Sequence, residues 1–492
     1  MTDSSSNWIK KSACLIAAVL LVISLLNNSL HWQLLGLASP TFSLITIFLA
    51  SLILWLFVAI DWPSLLCLIC LGLLPGSSFA EIFQLSFGNT TFVFLFFTFI
   101  LTFALQDTPC LKRVLAKALN SHWAQASTLR FIFAFLTALL LLACFISPTI
   151  LFMIAFSLYE EMVEQFQVKK GDPQASKLLV ALFSTIAIGT AMTPINHVFA
   201  ITAMGIYQSA FGQAITNAQY MTFAIPSGLI LYALLWLSLV FIWRLDVSDW
   251  QIQKIKSLQA LPDSDSHEKW VMAIFSLVVA LWLLPELLAP LFPSIGTFFK
   301  NAGIAFPPML GVFLLATLRP KGKSLISLQT AIAQGVYWPS LLIVAATLSL
   351  GSLLTNPQFA VTQLIQDALG PVLSQLSPWM VVGVFIIWAG LQTNFSSNLV
   401  TTTMVTTLLT TLVTANPDLT INAAVIACLI GFMASLALMT PPAMPYVAIS
   451  IGSGWTTSTD TLKYGGWILI LSILISCFIA YPLGIQILSQ IP

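Results

Sequence analysis

The chain has 492 residues, of which 58% are hydrophobic and only 7% are charged, and its formal net charge is +1. So few charges exclude a soluble protein of this length, because a water-exposed surface needs many more. The near-neutral balance also argues against a nucleic-acid partner. The composition therefore predicts an all-α polytopic membrane protein that lies in the lipid bilayer.

The N-terminal segment, residues 1–40, is predicted to contain one retained membrane helix. Lys10 and Lys11 precede an apolar run, 12–26, that lacks the small-residue pattern of a signal-peptide cleavage site. The later apolar runs predict about 11 transmembrane helices plus two re-entrant hairpins. These runs fall near 41–60, 64–76, 92–106, 131–158, 178–206, 223–243, 270–291, 304–318, 339–355, 379–413, 421–451 and 466–488.

Nearly all of the 18 lysine and arginine residues gather in clusters between the apolar runs. The positive-inside rule places such clusters in the cytoplasm. We therefore predict a bacterial-type cytoplasmic membrane protein with a cytoplasmic N-terminus and a cytoplasmic linker at 244–269. The clusters are Lys10/Lys11, Lys112/Arg113/Lys117/Arg130, Lys169/Lys170/Lys177, Arg244/Lys254/Lys256/Lys269, Arg319/Lys321/Lys323 and Lys463, with Lys300 alone apart.

The apolar run 131–158 has a polar centre and positive clusters at both ends. Arg130 precedes it and a lysine pair follows it, so a single crossing would place one cluster outside the cell. The centre is the tripeptide Ser147-Pro148-Thr149. Proline stops a helix, and hydroxyls can satisfy freed backbone groups. We predict a re-entrant hairpin that enters from the cytoplasm, turns at this tripeptide and returns to the same side.

A second run, 379–413, also has a polar centre, which extends from Thr393 to Asn398. Neither a lysine nor an arginine flanks this run, in contrast to the first hairpin. The run therefore predicts a mirror-image hairpin that enters from the outside.

Two stretches indicate an internal duplication. AMTPINHVFAITAMG (191–205) and LMTPPAMPYVAISIG (438–452) share Met-Thr-Pro and a final glycine, about 250 residues apart, and the hairpin centres have a similar separation. The opposite charge patterns around the two hairpins predict that the repeats are inverted. We place the repeats at 41–243 and 270–492.

Both stretches lie in long apolar runs that are interrupted near their centres. For one run alone, a proline kink in an ordinary helix is the alternative, because membrane helices tolerate proline. Matched interruptions in both halves favour unwound segments, which are typical of transporter binding sites. The interrupting residues are Thr193 and Pro194 in the first run, and Thr440, Pro441 and Pro442 in the second.

Neither the hairpins nor the broken helices contain a lysine or an arginine. A site built from them would hold a small anion by helix N-termini, hydroxyls and amides, while its carbonyl and side-chain oxygens would suit Na⁺. His197 lies beside the first break and is open to two interpretations. It either couples transport to protonation or is a structural histidine bonded to nearby backbone.

The two halves, the polar hairpins and the Thr-Pro breaks together resemble the divalent anion:sodium symporters, the DASS family of the ion transporter superfamily. The resemblance covers about residues 41–488 and includes the SIGSG stretch at 450–454. It implies an elevator-type secondary carrier of a dicarboxylate or tricarboxylate. Such a protein is Na⁺-coupled, homodimeric, not an enzyme and free of organic cofactors.

The same resemblance implies a set of site residues, because family members bind substrate with hairpin and break residues and hold one Na⁺ in each half. The implied substrate-binding residues are Ser147, Thr149, Thr193, Pro194, Asn196, Ser397, Asn398, Thr440, Pro441 and Pro442. The implied Na⁺ ligands are Ser147, Thr393, Ser397 and Asn398.

The sequence departs from the family pattern at both hairpin tips. Pro148 stands where the first motif has asparagine, and Leu399 replaces a threonine of the second. Pro148 also lacks a backbone N–H. These departures leave two alternatives open, a Na⁺-independent anion exchanger and a carrier of sulfate or another oxyanion.

Other classes of protein fit the sequence less well. RPKGKS (319–324) resembles a phosphate-binding loop but lacks its first glycine, which argues against an ATP-driven pump. G-x-S-x-G and H-E-x-x-H do not occur, so an intramembrane enzyme is not predicted. A sensor would need a signalling domain, whereas the longest cytoplasmic loop has only about 25 residues.

Overall fold

The computed structural model describes residues 3–488 apart from 31–32, 107, 166, 196, 249, 251–262, 289–290, 321, 374–375 and 442. Within these residues every regular element is helical. The first half contains α1 (Asp3–Leu30), α2 (Ser39–Phe57), α3 (Trp62–Gly72), α4 (Phe79–Leu85), α5 (Thr90–Gln106), α6 (Cys110–Leu119), α7 (Thr128–Ala143), α8 (Pro148–Gln165), α9 (Pro173–Met192), α10 (Val198–Phe211) and α11 (Asn217–Leu237).

The second half begins after the linker. It contains α12 (Ser266–Leu288), α13 (Pro293–Ala302), α14 (Phe306–Thr317), α15 (Leu328–Thr330), α16 (Trp338–Thr355), α17 (Val361–Leu373), α18 (Pro378–Phe395), α19 (Asn398–Ala415), α20 (Ala423–Ala434), α21 (Pro445–Gly452), α22 (Ser458–Asp460), α23 (Gly466–Ile475) and α24 (Tyr481–Ile487). π-Helical turns extend α11 to Ile242 and join α22, α23 and α24 into one helix.

Length and composition confirm the prediction of an all-helical, multi-span membrane protein. In the part of the chain that the structure describes, nine helices are long and apolar enough to cross a membrane. The pair α4 and α5, bent by 54°, would provide a tenth. Five shorter apolar helices have 10–17 residues, and three of them, α7, α10 and α20, flank the interruptions predicted from the sequence.

Side-chain caps define where the hairpin arms and broken helices begin. The Ser127 hydroxyl accepts a hydrogen bond from the third residue of α7, and the Ser377 hydroxyl does the same for α18. Asp172 and Asn422 cap α9 and α20 in the same way, through an aspartate carboxylate and an asparagine amide oxygen. These caps satisfy N–H groups that the first turn of a helix leaves free.

The hairpin formed by α7 and α8 has both ends on one side of the protein. The Thr128 hydroxyl, at the start of α7, donates to the carbonyl oxygen of Trp250 at 2.6 Å. After α8, the Lys177 ammonium donates to the carbonyl oxygen of Arg244 at 3.3 Å. The two ends therefore lie against Trp250 and Arg244, which are close in sequence after α11, and the chain between them turns back within the protein.

The hairpin formed by α18 and α19 opens on the opposite side. The Trp379 ring, at the start of α18, lies 5.5 Å from the Tyr481 ring, and the Tyr481 hydroxyl accepts a bond from the Asn422 N–H at 3.2 Å, just after α19. Lys463, in the same helix as Tyr481, instead lines a cavity with Lys177. At about 1.5 Å per residue, Lys463 and Tyr481 lie roughly 27 Å apart. The ends of the two hairpins therefore lie near opposite ends of the last helix, as expected for inverted repeats.

The halves interlock through helices that follow the breaks. α10 packs against α19 and α20, and α21 packs against α8 and α9. Gly431 of α20 is essential to the first contact, because a Cβ atom there would lie 2.6 Å from the Cα atom of Ala200. Small residues at such interfaces let helix backbones approach closely in a membrane.

We predict that Gly431→Ala lowers the free energy of unfolding by about 1–3 kcal/mol, because it overpacks the interface between the halves. Gly383→Ala in α18 is the matched control, since a Cβ atom at Gly383 has no neighbour within 4 Å. Thermal unfolding of the two variants in detergent measures the difference. Equal stability of both variants would contradict the close approach of α10 and α20.

Candidate functional site

Four helix interruptions converge in the protein. Two are hairpin turns, at 144–147 and 396–397, and two are breaks, at 193–197 and 435–444. Each interruption leaves backbone donors or acceptors without a partner in their own helix, and lipid cannot replace these hydrogen bonds. The partners of these groups show which interruptions meet.

The first break is bonded to the first hairpin. The buried Thr193 hydroxyl donates to the carbonyl oxygen of Cys144, directly after the last residue of α7. Thr193 itself ends α9 with an extended backbone, at φ −135° and ψ 147°. One hydroxyl thus satisfies a carbonyl that the end of α7 leaves free.

The second half repeats this contact. The Thr440 hydroxyl donates to the carbonyl oxygen of Asn394, near the end of α18. Thr193 and Thr440 are equivalent in the predicted repeats, and so are the carbonyl groups that they satisfy, within a few positions. The shared contact supports an internal duplication independently of the sequence motif.

The Asn394 side chain also holds the unwound segment after α20. Its Oδ1 atom accepts from the N–H groups of Leu438 at 2.8 Å and Met439 at 2.9 Å, and its Nδ2 atom donates to the carbonyl oxygen of Leu436 at 3.3 Å. Nearby, the Thr393 hydroxyl donates to another backbone carbonyl at 3.0 Å. Thr393 is a predicted Na⁺ ligand, and its hydroxyl oxygen retains a lone pair. Asn394 was not among the predicted site residues.

The two breaks meet through His197 and Ser435. The His197 Nε2 atom hydrogen-bonds with the Ser435 hydroxyl, and both side chains are buried. The other ring nitrogen of His197, Nδ1, has no hydrogen-bond partner among the described residues. His197 is therefore bonded to a side chain of the other half rather than to its own backbone, and this pairing was not predicted.

The tip of the second hairpin contains a polar side chain without a partner. Asn398, the first residue of α19, is only 4% exposed, yet neither its Oδ1 nor its Nδ2 atom forms a hydrogen bond within the described residues. The preceding Ser397 does not cap the helix with its side chain. Burying an unpaired amide costs about 1–3 kcal/mol. Such a group is typical of a site that receives a ligand.

The tip of the first hairpin offers fewer donors. Ser147 and Thr149 are partly buried hydroxyls, and α8 begins at Pro148, which provides no backbone N–H. The departure seen in the sequence therefore falls at the helix N-terminus itself, where free N–H groups would otherwise face an anion.

The other predicted site residues differ in their surroundings. Pro194 is buried in the first break, whereas Pro441 is exposed in the second. Asn196 and Pro442 lie outside the residues that the structure describes. Across the described residues, no group of three or more His, Cys, Asp or Glu side chains could hold a metal ion. A cation at these interruptions would rely on hydroxyl, amide and carbonyl oxygens.

Most of the chain is similar in sequence to a group of bacterial transport proteins. Proteins named sodium-dependent dicarboxylate transporter SdcS, from Staphylococcus saprophyticus and Staphylococcus aureus, are each 26% identical to it. The matches cover 82% of this chain and 80% or 79% of the relatives. Among solved structures, the Alcanivorax borkumensis YdaH transporter has a TM-score of 0.55 at 15% identity, over 92% of this chain and 99% of the other, which shows a similar fold.

These findings confirm the family resemblance predicted from the sequence and identify a transporter rather than an enzyme. The family model CitMHS, described as citrate transporter, matches residues 13–431, well over half of the chain. The chain therefore belongs to the citrate transporter family.

Proposed function

We propose that the protein is an elevator-type secondary transporter that moves a dicarboxylate or tricarboxylate across the cytoplasmic membrane together with Na⁺. The unpartnered, buried amide of Asn398 carries the proposal, because it lies at the tip of a re-entrant hairpin and is ready to bind a ligand. The names of the staphylococcal relatives support both the dicarboxylate and the Na⁺.

The chemistry of the interruptions supports an anion that is bound together with cations. Lysine and arginine are absent from all four interruptions, at 144–147, 193–197, 396–397 and 435–444. Helix N-termini, hydroxyls and amides must then provide the binding groups for a carboxylate. We propose that the substrate contacts Ser147, Thr149, Thr193, Pro194, Asn196, Ser397, Asn398, Thr440, Pro441 and Pro442, and that Ser147, Thr393, Ser397 and Asn398 provide oxygens for Na⁺.

The opposite orientations of the hairpins suit alternating access. Each hairpin can separate the site from one side of the membrane while the other side stays open. We propose that 41–243 and 270–492 are the two inverted repeats, that the N-terminus is cytoplasmic and that the protein forms a homodimer. A Na⁺-independent exchanger is the second candidate, because Pro148 removes both an amide and an N–H from the first tip.

Uptake into liposomes tests the proposed transport. We expect the purified full-length protein to take up labelled succinate or citrate several-fold faster with an inward Na⁺ gradient than with choline in place of Na⁺. Uptake that needs preloaded anion and ignores Na⁺ would favour the exchanger, and uptake of sulfate alone would favour the oxyanion carrier. Failure to transport any carboxylate would refute the proposed substrate class.

Substitutions of two asparagines near the second hairpin tip distinguish a role in substrate binding from a role in stability. Asn398→Ala should slow Na⁺-driven uptake at low substrate concentration about 10- to 100-fold, as expected for the loss of about 1.5–3 kcal/mol of charge-assisted bonding. Its thermal stability should stay equal or rise, because the amide has no partner to lose.

Asn394→Ala is the matched comparison. It removes the hydrogen bonds that hold residues 436–439, so we expect a loss of about 2–4 kcal/mol in stability. Uptake and thermal unfolding of both variants, measured in parallel, check this pattern. If Asn398→Ala destabilises the fold as much as Asn394→Ala does, Asn398 has a structural role and the proposed binding role is lost.

Pro148→Asn tests whether the first tip limits coupling to Na⁺. The substitution restores a backbone N–H and adds an amide at the start of α8. We expect the Na⁺ dependence of uptake to become steeper, with a higher Hill coefficient than in the unmodified protein. An unchanged Hill coefficient, in a variant that still transports, would show that Pro148 does not set the number of coupled ions.

A further inference from the structure

A cavity lies where α11 ends and the last helix begins, beside the second break, since the Thr461 hydroxyl donates to the carbonyl oxygen of Met439 at 2.9 Å. It has a volume of about 310 Å³ and is lined by Lys177, Ile242, Trp243, Lys463, Tyr464 and Trp467. Two ammonium groups and three aromatic rings therefore surround one space. None of the proposed substrate or Na⁺ residues lines it.

The aromatic walls of this cavity are fixed by contacts between the two halves. The rings of Trp243 and Tyr464 lie 4.7 Å apart, and the Trp467 Nε1 atom donates to the Ser238 hydroxyl at 3.0 Å. The Lys463 ammonium lies 5.1 Å from the centre of the Tyr464 ring. The cavity therefore has ordered aromatic walls, and the Lys463 ammonium forms a cation–π contact with one of them.

The two lysines lack an acidic partner in the part of the chain that the structure describes. The Lys177 ammonium donates to the neutral oxygens of Gln174 and Arg244, at 3.1 and 3.3 Å. The carboxylates of Asp172 and Asp246 are near enough to act on Lys177 electrostatically, but their hydrogen bonds come from other groups, because Asp172 accepts from the Gln174 N–H and Asp246 accepts from Ser248. Two positive charges therefore face the cavity without neutralisation by an ion pair.

Asp460, close to Lys463 in sequence, likewise accepts hydrogen bonds from the hydroxyls of Ser176 and Thr457. The cavity thus offers positive charge to a negatively charged occupant.

A second cavity continues from the first along α23. It has a volume of about 400 Å³, and Lys463 and Trp467 line both spaces. Its other lining residues are Leu391, Met439, Leu462, Gly466, Leu469, Ile470 and Ile473. Ile470 is 54% exposed and Leu462 49%, so this apolar groove is open along the side of the protein.

We propose that the two cavities together bind one anionic phospholipid. Its phosphate lies between Lys177 and Lys463, and an acyl chain lies in the groove along α23. Basic pockets between membrane helices are suited to anionic lipid headgroups, and aromatic residues mark the interface where headgroups lie. A soluble anion would bind between the two lysines of the first cavity but would leave the apolar groove of the second cavity empty. A phospholipid fills both cavities, so we favour it as the occupant.

Binding of fluorescent phosphatidylglycerol to the full-length protein in detergent tests the proposal. We expect Lys177→Gln together with Lys463→Gln to weaken binding about 25-fold, from about fivefold for each lysine near an anionic headgroup. Lys112→Gln together with Lys117→Gln is the matched control, because it removes two exposed lysines of α6 and should leave binding unchanged. An equal loss in both double variants would mean unspecific charge attraction and would overturn the proposal.

Two further measurements separate the lipid from other occupants. Gly466→Leu should fill the groove and weaken binding several-fold with all charges retained, since the nearest atom to a Cβ there is 3.7 Å away and the fold can accept the side chain. If binding is unchanged, the acyl chain does not lie in this groove and the proposal is wrong in that respect. Displacement of the lipid by millimolar inorganic phosphate, or equal binding of phosphatidylcholine, would also contradict an anionic phospholipid site.

Discussion

A backbone without hydrogen-bond partners cannot persist in hydrocarbon, and this constraint governs the whole arrangement of the interrupted helices. Each break exposes carbonyl and N–H groups that a continuous helix would have paired. Thr193 and Thr440 satisfy such groups in the same way, because the hydroxyl of each donates a hydrogen bond to a carbonyl oxygen of the adjacent hairpin. Each hairpin is therefore joined to its break by a hydrogen bond, which favours their moving together as one unit.

The two units are alike in plan but not in detail. α10 has 14 residues after the first break, whereas α21 has eight after the second. Asn394 holds the second break with both ends of its amide, while the first tip begins with a proline. The contact between His197 and Ser435 joins the breaks across this asymmetry. Among the described residues, the side-chain amides near the interruptions therefore come from the second half, and the first half contributes mainly hydroxyls.

The sequence was sufficient to predict local features of this plan. Pro148 and the polar run to Asn398 interrupt apolar segments, so they predict the hairpin turns, and α8 and α19 begin at these two residues. Basic residues at both ends of the first hairpin predict that its ends lie together. The roles of Asn394 and His197 could not be predicted, because the partners that define these roles lie 42 or more positions away in the chain, and neither periodicity nor charge records such pairs.

The site's lack of cationic side chains has a thermodynamic consequence for transport. An anion that enters a partly dehydrated site without a lysine or arginine loses hydration that hydroxyls and amides cannot fully replace. A cation bound to neighbouring oxygens lowers this cost, and by linkage the anion raises the affinity for the cation to the same degree. Coupling between the two then follows from the missing charge, and it requires no dedicated gate. The number of cations depends on how many oxygen-rich tips remain intact, which makes the proline at the first tip the residue that decides stoichiometry under the proposed function.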